Sequence, residues 1–222
     1  MFVLLKMKKK RHIVTKIDKS QERFSRQSFW KDVPLLEIGN YLWMRNNYKP
    51  KVDAQICYSD NFLFLRFEAF EKEIRATYAE INSPVYKDSC VEFFFNPFPE
   101  ISETYFNFEI NPLGAMLVEF GKDRKRNALS VDEIKGIEVD ASVTAPVEGL
   151  HGAESWRIYC KIPLAIFERY YRKEFLFDNA KGNFYKCGDE TKFKHYGAWN
   201  EIISEKPNFH LPQFFGELIF EK

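Results

Sequence analysis

Between Val85 and Gly114 the chain reads VYKDSCVEFFFNPFPEISETYFNFEINPLG, two runs in which apolar and polar residues alternate. Alternation with period two marks a β-strand with one buried face, and two such runs across a short connection make an antiparallel hairpin. Val91, Phe93 and Phe95 then share one face of the first strand, opposite Tyr86, Asp88, Cys90 and Glu92. In the second strand Phe106, Phe108 and Ile110 lie opposite Tyr105, Asn107, Glu109 and Asn111. The phenylalanine face needs a second packed layer to cover it. A slip of one residue would send those rings to water, so the register is strongly specified. The opposite face mixes aromatics with carboxylates and amides, which suits either a polar ligand bearing apolar patches or plain solvent.

The rest of the chain supports a β-rich fold. Val52–Tyr58 and Asn61–Phe70 read as strands across the turn Ser59–Asn61, and Phe62–Phe70 is apolar enough to be a central strand covered on both faces. Trp30, Leu35, Leu36 and Ile38 are expected core contacts. Glu71–Ala79 reads as a short helix or a loop. Ala115–Phe120, Gly136–Val147, Trp156–Ile162, Asn183–Cys187 and Phe215–Phe220 complete the strand set, with Glu148–Ser155 a turn between two of them. Pro163–Phe167 opens a short helix, because proline is tolerated in a first turn. Gly188–Gln213 is a long irregular stretch of the kind that wraps a surface or carries function. About nine or ten short strands without an internal repeat predict one antiparallel β-sandwich, jelly-roll-like, with short helical turns. Residues 1–28 read as an N-terminal extension in which His12–Ile17 pairs as an edge strand, and 29–222 as the domain.

Composition narrows the function. The 222 residues include 23 Phe, and aromatics make up 17% of the chain, enough for a substantial core. A formal net charge of +1 gives no field to steer nucleic acid, and no basic stripe follows the opening KMKKKR. Cys57, Cys90, Cys160 and Cys187 lack CxxC or zinc spacing and read as small buried residues. The opening MFVLLKMKKKRH places apolar residues before basic ones, the reverse of a secretory signal, so export would require a leader removed upstream. No stretch approaches the ~20 apolar residues of a membrane span.

A catalytic reading finds little support. Asp88 and Glu92 lie ~13 Å apart along one strand face, wider than the ~5–9.5 Å of glycosidase carboxyl pairs. Glu92 and Glu109 make a better pair if the hairpin register brings them together. No nucleophile elbow, zinc-protease helix, phosphate loop or dinucleotide fingerprint occurs. His12, His151, His195 and His210 lack metal-ligand spacing. Ligand holding is better supplied. Sugars present flat C–H faces beside dense hydroxyls, which rings and carboxylates or amides satisfy in turn. Tyr86 and Trp199 supply rings, and Glu92, Asn107 and Glu109 supply hydrogen bonds, with core packing the alternative for Trp199.

The strings KDSCVEFFFNPF, TYFNFEINPLGAM, GNFYKCG, AWNEI and PQFFGELIFE, in that order, resemble the family 9 carbohydrate-binding modules, including stand-alone or fused bacterial proteins of that kind. The resemblance runs from about Trp43 to Phe220. It implies a β-sandwich that binds mono- or oligosaccharides and often accompanies glycoside hydrolases. In such modules two rings clamp a reducing-end sugar. The first ring falls on Tyr86, where the type members have Trp, and the second on Trp199. Glu92 matches the acidic residue that bonds the sugar. The place of a ligand-binding Arg on the hairpin's second strand falls on Glu109, reversing the charge. Asn183 and Tyr185 lie on the matching late strand. The resemblance also allows a structural calcium ion, and no other cofactor is expected. A divergent glycoside hydrolase, or a related sandwich binding haem or a protein partner, are the other classes, although no axial Met/His pair stands out.

Overall fold

The alternating hairpin forms where the pattern places it, inside a sheet whose strands run through the whole chain. The computed structural model describes residues 9–18, 23–123, 125–151 and 155–222. Its first strands are β1 (Arg11–Lys16), β2 (Leu35–Glu37), β3 (Asn40–Tyr41), β4 (Lys51–Tyr58), β5 (Phe62–Phe70) and β6 (Glu73–Ala76). The hairpin is β7 (Cys90–Asn96) and β8 (Tyr105–Ile110), continued by β9 (Met116–Lys122) and β10 (Lys125–Ala128). A short helix α1 (Val131–Lys135), started by a Ser130/Glu133 capping box, leads to β11 (Glu138–Ala141), β12 (Val147–His151) and β13 (Trp156–Pro163). Helix α2 (Leu164–Tyr171) follows Pro163, and β14 (Ala180–Cys187), β15 (Tyr196–Ala198) and β16 (Gly216–Phe220) close the chain.

One half of the sheet runs β10-β9-β8-β7-β14-β16 and the other β4-β5-β13-β11, and β1 joins them. Arg11–Val14 pair in parallel with β16, and Thr15–Lys16 pair in parallel with β4. The strand expected at an edge is therefore the seam of the sandwich, and the described part of the N-terminal extension is integral to it. Curling about this seam brings the halves face to face, so that Phe67 of β5 meets Phe184 of β14 with ring centroids 6.1 Å apart. Every other ladder is antiparallel.

The phenylalanines fill the interior as the alternation requires. Phe93 stacks on Phe184 at 4.8 Å, and Phe167 of α2 meets Phe95 at 5.1 Å and Phe106 at 5.2 Å. Each such ring contributes roughly 1.5–3 kcal/mol by leaving water. Glu71–Ala79 is not helical: its centre is β6, which pairs with β12. Leu35 points outward at 61% exposure, whereas Trp30, Leu36 and Ile38 are buried as expected. All four cysteines are buried and unbridged. Residues 1–8, residues 152–154 of the expected turn and the side chain of His151 lie outside the described set. Among the described residues no helix is long and apolar enough to cross a membrane.

Candidate functional site

The outward face of the hairpin half carries the polar residues, and register now fixes which of them meet. Glu92 pairs with Glu109 on β8 and with Tyr185 on β14, and Glu109 pairs with Leu117 on β9. The carboxyls that sequence alone could not align are direct cross-strand neighbours, whose Cβ atoms stand ~4.5–5.5 Å apart. Above them opens a cleft of about 650 Å³. Glu92, Glu109 and Glu119 form its floor with Cys187, and Tyr86, Trp43, Tyr196, Phe209, His210, Asp189 and Arg126 also line it.

Glu92 and Glu109 are only 3% and 4% exposed. The Cys187 thiol donates to Glu92 Oε1 at 2.9 Å, and Asn107 Nδ2 donates to Glu109 Oε1 at 3.0 Å and to Glu119 Oε2 at 3.1 Å. Glu109 Oε2 and Asn107 Oδ1 have no partner in the protein. Burial, reinforced by the Glu119 charge, pushes the Glu109 carboxyl up to about 8. Burial, with Cys187 and Glu109 beside it, holds Glu92 well above the usual carboxylate range. Glu109 is therefore largely protonated at neutral pH, offering a donor as well as an acceptor, and burial biases Glu92 in the same direction. Arg126 Nε holds Glu119 at 3.0 Å, and Arg126 Nη2 reaches His210 Nε2 at 3.1 Å. His210 in turn stacks on Phe94 at 4.9 Å.

The rings at the cleft are placed by turns. Tyr86, 36% exposed, sits in a single 3-10 turn, Val85–Lys87, ahead of β7. The loop after β14 pins that turn: Asp189 N–H donates to the Tyr86 carbonyl at 3.2 Å and Glu190 N–H to that of Lys87 at 2.9 Å. Trp43 has a left-handed backbone, φ 62°, uncommon for so bulky a residue, and its indole N–H donates to Ser204 O at 2.7 Å. Its ring lies 5.9 Å from Phe209. Phe209 lies flat on Tyr185 at 4.2 Å and 9°.

Of the residues expected at the site, Tyr86, Glu92 and Glu109 line the cleft. Asn107 is fully buried beneath it and ties two of its carboxyls together. Tyr185 is likewise buried, propping Phe209 and donating its hydroxyl to the Phe209 carbonyl at 3.2 Å. Asn183 shares the outward face of β14 with Tyr185 and Cys187 but is buried and does not line the cleft, and it bonds Asn200 through both ends of its amide, at 3.0 and 2.8 Å. Trp199 requires a correction. It is 4% exposed and packs in the core, edge-on to Phe184 at 5.9 Å. Ala198 pairs with Tyr185 on the outward face, so the next residue turns inward, and the indole fills the space left by Gly216, which has no side chain. The second ring at the cleft is Trp43, whose contribution depends on its turn. Glu119 could have been found from the alternation of β9, given the register. Arg126, Asp189, Phe209 and His210 come from loops and an edge strand, and no local pattern marks them.

Asp88 is structural. Its carboxylate accepts from the Thr77 and Tyr78 backbone N–H groups at 2.8 and 3.0 Å and from Asn111 Nδ2 at 2.9 Å. Among the described residues one group of potential metal ligands gathers, Cys90, Glu92 and Cys187, with donor atoms all within 4.8 Å of one another. Two thiols do not fit the hard, oxygen-seeking calcium ion that the family resemblance allows.

The comparisons with known proteins agree with this architecture. A protein of Bacteroides uniformis, described as a candidate carbohydrate-binding protein, superimposes with a TM-score of 0.86 at 30% identity, covering 96% of this chain and 100% of the other. A family 9 module from Caldicellulosiruptor kristjanssonii in complex with glucose matches with a TM-score of 0.64 at 13% identity, over 96% of each chain. The same organism's module in complex with cellotriose matches at 0.63 and 13%, over 96% of this chain and 94% of that one. No curated protein matches the sequence. The model of carbohydrate-binding family 9 matches residues 28–220, and the chain belongs to that family.

Proposed function

We propose that this protein binds a neutral mono- or oligosaccharide without cleaving it, and that the cleft over Glu92 and Glu109 is the sugar's seat. The observation that carries the reading is the free oxygen of Glu109, buried yet unpartnered, in a cleft flanked by Tyr86 and Trp43. A buried polar atom without a partner is costly, and a sugar hydroxyl that both donates and accepts would satisfy a protonated carboxyl. The rings would cover the sugar's C–H faces. The volume lies within the ~300–1,000 Å³ of small-ligand pockets. The family, and the glucose and cellotriose held by its structural relatives, support the same ligand class.

Hydrolysis is the competing reading, since the two carboxyls are paired across the hairpin. Retaining cleavage needs one acid and one ionised nucleophile. Burial pushes both Glu92 and Glu109 toward the protonated form, which favours holding over cutting. Calorimetric titration with glucose, xylose, galactose and cello-oligosaccharides tests the assignment. Saturable binding by at least one sugar, lost in Glu109→Leu, is expected. Wild-type affinity in that variant would overturn the seat, and turnover of chromogenic glycosides that disappears in Glu92→Gln would make the protein a hydrolase.

A further inference from the structure

We infer that Cys90, Glu92 and Cys187 form a three-ligand site for a thiophilic divalent cation, Zn²⁺ above all, in the floor of the cleft. Residues i and i+2 of a strand point to the same side, which puts Cys90 and Glu92 on the outward face of β7. Cys187 is the direct cross-strand partner of Cys90 and projects from β14 on that face. The donor atoms lie within 4.8 Å of one another, against the ~3.8 Å between two sulfurs that tetrahedral Zn–S bonds of about 2.3 Å impose; Cys187 Sγ and Glu92 Oε1, now 2.9 Å apart, would part by about half an ångström as their hydrogen bond gives way to the metal.

The chemistry of the donors selects the metal. Two thiolates and one carboxylate suit Zn²⁺ or Cd²⁺ and disfavour Ca²⁺ and Mg²⁺. Glu92 and Cys187 both line the cleft, so three protein ligands leave a fourth position open toward it, for water or a ligand hydroxyl. Burial favours the neutral form of each ligand: the Cys90 thiol is pushed up to about 11, and Cys187 and Glu92 are raised too. Binding therefore releases the two thiol protons, and any proton held by Glu92, to the buffer. The Lys186 ammonium, paired with Glu71 at 3.2 Å on the other side of the strand, draws both thiols down against that burial.

The site does not rest on the saccharide reading: a chain that holds Zn²⁺ but no sugar keeps it, and one that binds sugar but no metal loses it. The test titrates Co²⁺ into the full chain, stripped with chelator and reduced with a phosphine. One Co²⁺ per chain is expected, with thiolate-to-metal charge-transfer absorption and the strong visible bands of a four-coordinate centre, displaced by Zn²⁺. Those bands should vanish in Cys90→Ser/Cys187→Ser and persist in Cys57→Ala/Cys160→Ala. Should the first variant fail to fold, a zinc-edge anomalous difference peak among the three side chains in a Zn²⁺-soaked wild-type crystal gives the answer. Absent charge transfer at stoichiometric Co²⁺, bands that survive loss of both cleft thiols, or no anomalous peak there would each overturn the site.

Discussion

Asp88 and Glu109 are both buried carboxyls on the same half of the sheet, and they are treated in opposite ways. Asp88 Oδ2 takes two backbone N–H groups and an asparagine amide, and Oδ1 takes the Thr77 hydroxyl at 2.9 Å, with Arg75 Nε at 3.4 Å. Glu109 receives one amide on one oxygen and nothing on the other. Burial alone would rank them alike. Satisfaction separates them, because a carboxylate with its hydrogen bonds made stabilises the fold and one with bonds left over is available to something else. The contrast locates the site more sharply than the shape of the cleft does.

Removing Asp88 is the most severe way to probe that contrast. Asp88→Ala leaves the Thr77 and Tyr78 N–H groups without their acceptor in a closed environment, and takes one partner each from the Asn111 amide and Arg75. Urea denaturation should show a loss of about 3–5 kcal/mol, as when one partner of a buried charged network is taken away. Glu109→Gln should change stability by no more than about 1 kcal/mol in the same assay run near pH 4.5, where the carboxyl keeps its proton and glutamine matches its shape. Similar losses in the two variants would break the distinction.

The next largest effect is in pH. The folded chain holds the Glu109 proton up to about 8, whereas an exposed Glu releases it near 4.5. Between those values the folded state binds more protons than the unfolded one, so stability falls as pH rises through the window and levels off above it. Wild type measured against Glu109→Gln isolates the term, about 2–4 kcal/mol between pH 4.5 and 9. A difference independent of pH would show that Glu109 is ionised in the folded protein.

Aromatic rings repeat the contrast, with Trp199 enclosed and Tyr86 open. A methyl group on Gly216 would lie 2.7 Å from Cη2 of Trp199 and 2.9 Å from the Lys10 carbonyl oxygen. Gly216→Ala should therefore cost about 1–3 kcal/mol of stability, the usual range for overpacking a filled core. Sugar affinity measured on the folded fraction should stay unchanged. A drop in affinity without loss of stability would return Trp199 to the binding site.

What the sequence revealed and what it hid follow from the range of the interactions involved. The faces of β7 and β8 were legible because alternation is a property of neighbouring residues, and Phe93, Phe95, Phe106 and Phe108 allow one orientation. Pairing Glu92 with Glu109 needed more than that: alternation forbids a slip of one residue across 97–104, but a slip of two keeps the rings inside and moves the carboxyls apart. Trp199 depends on a single-residue offset between β15 and β14, enough to reverse its side. β1 looks like an edge from its polar neighbours, yet its parallel partners are β4, early in the chain, and β16 at its far end. Trp43 enters the cleft through one left-handed residue in a turn.

The smallest predicted effect is the one that reads the open ring alone. Tyr86 projects from a turn whose backbone is anchored by Asp189 and Glu190, so trimming its side chain leaves those bonds in place. Tyr86 is 36% exposed, at the edge of the cleft and outside the core. Tyr86→Ala should therefore leave the urea midpoint within error of wild type. A bound sugar would lose the cover of one aromatic face, on the order of 1 kcal/mol, or about five- to tenfold in dissociation constant. Because this loss comes without a change in stability, it separates a ring that waits for ligand from one that holds the core. An unchanged affinity in Tyr86→Ala would move the sugar toward the Trp43 and Phe209 side of the cleft.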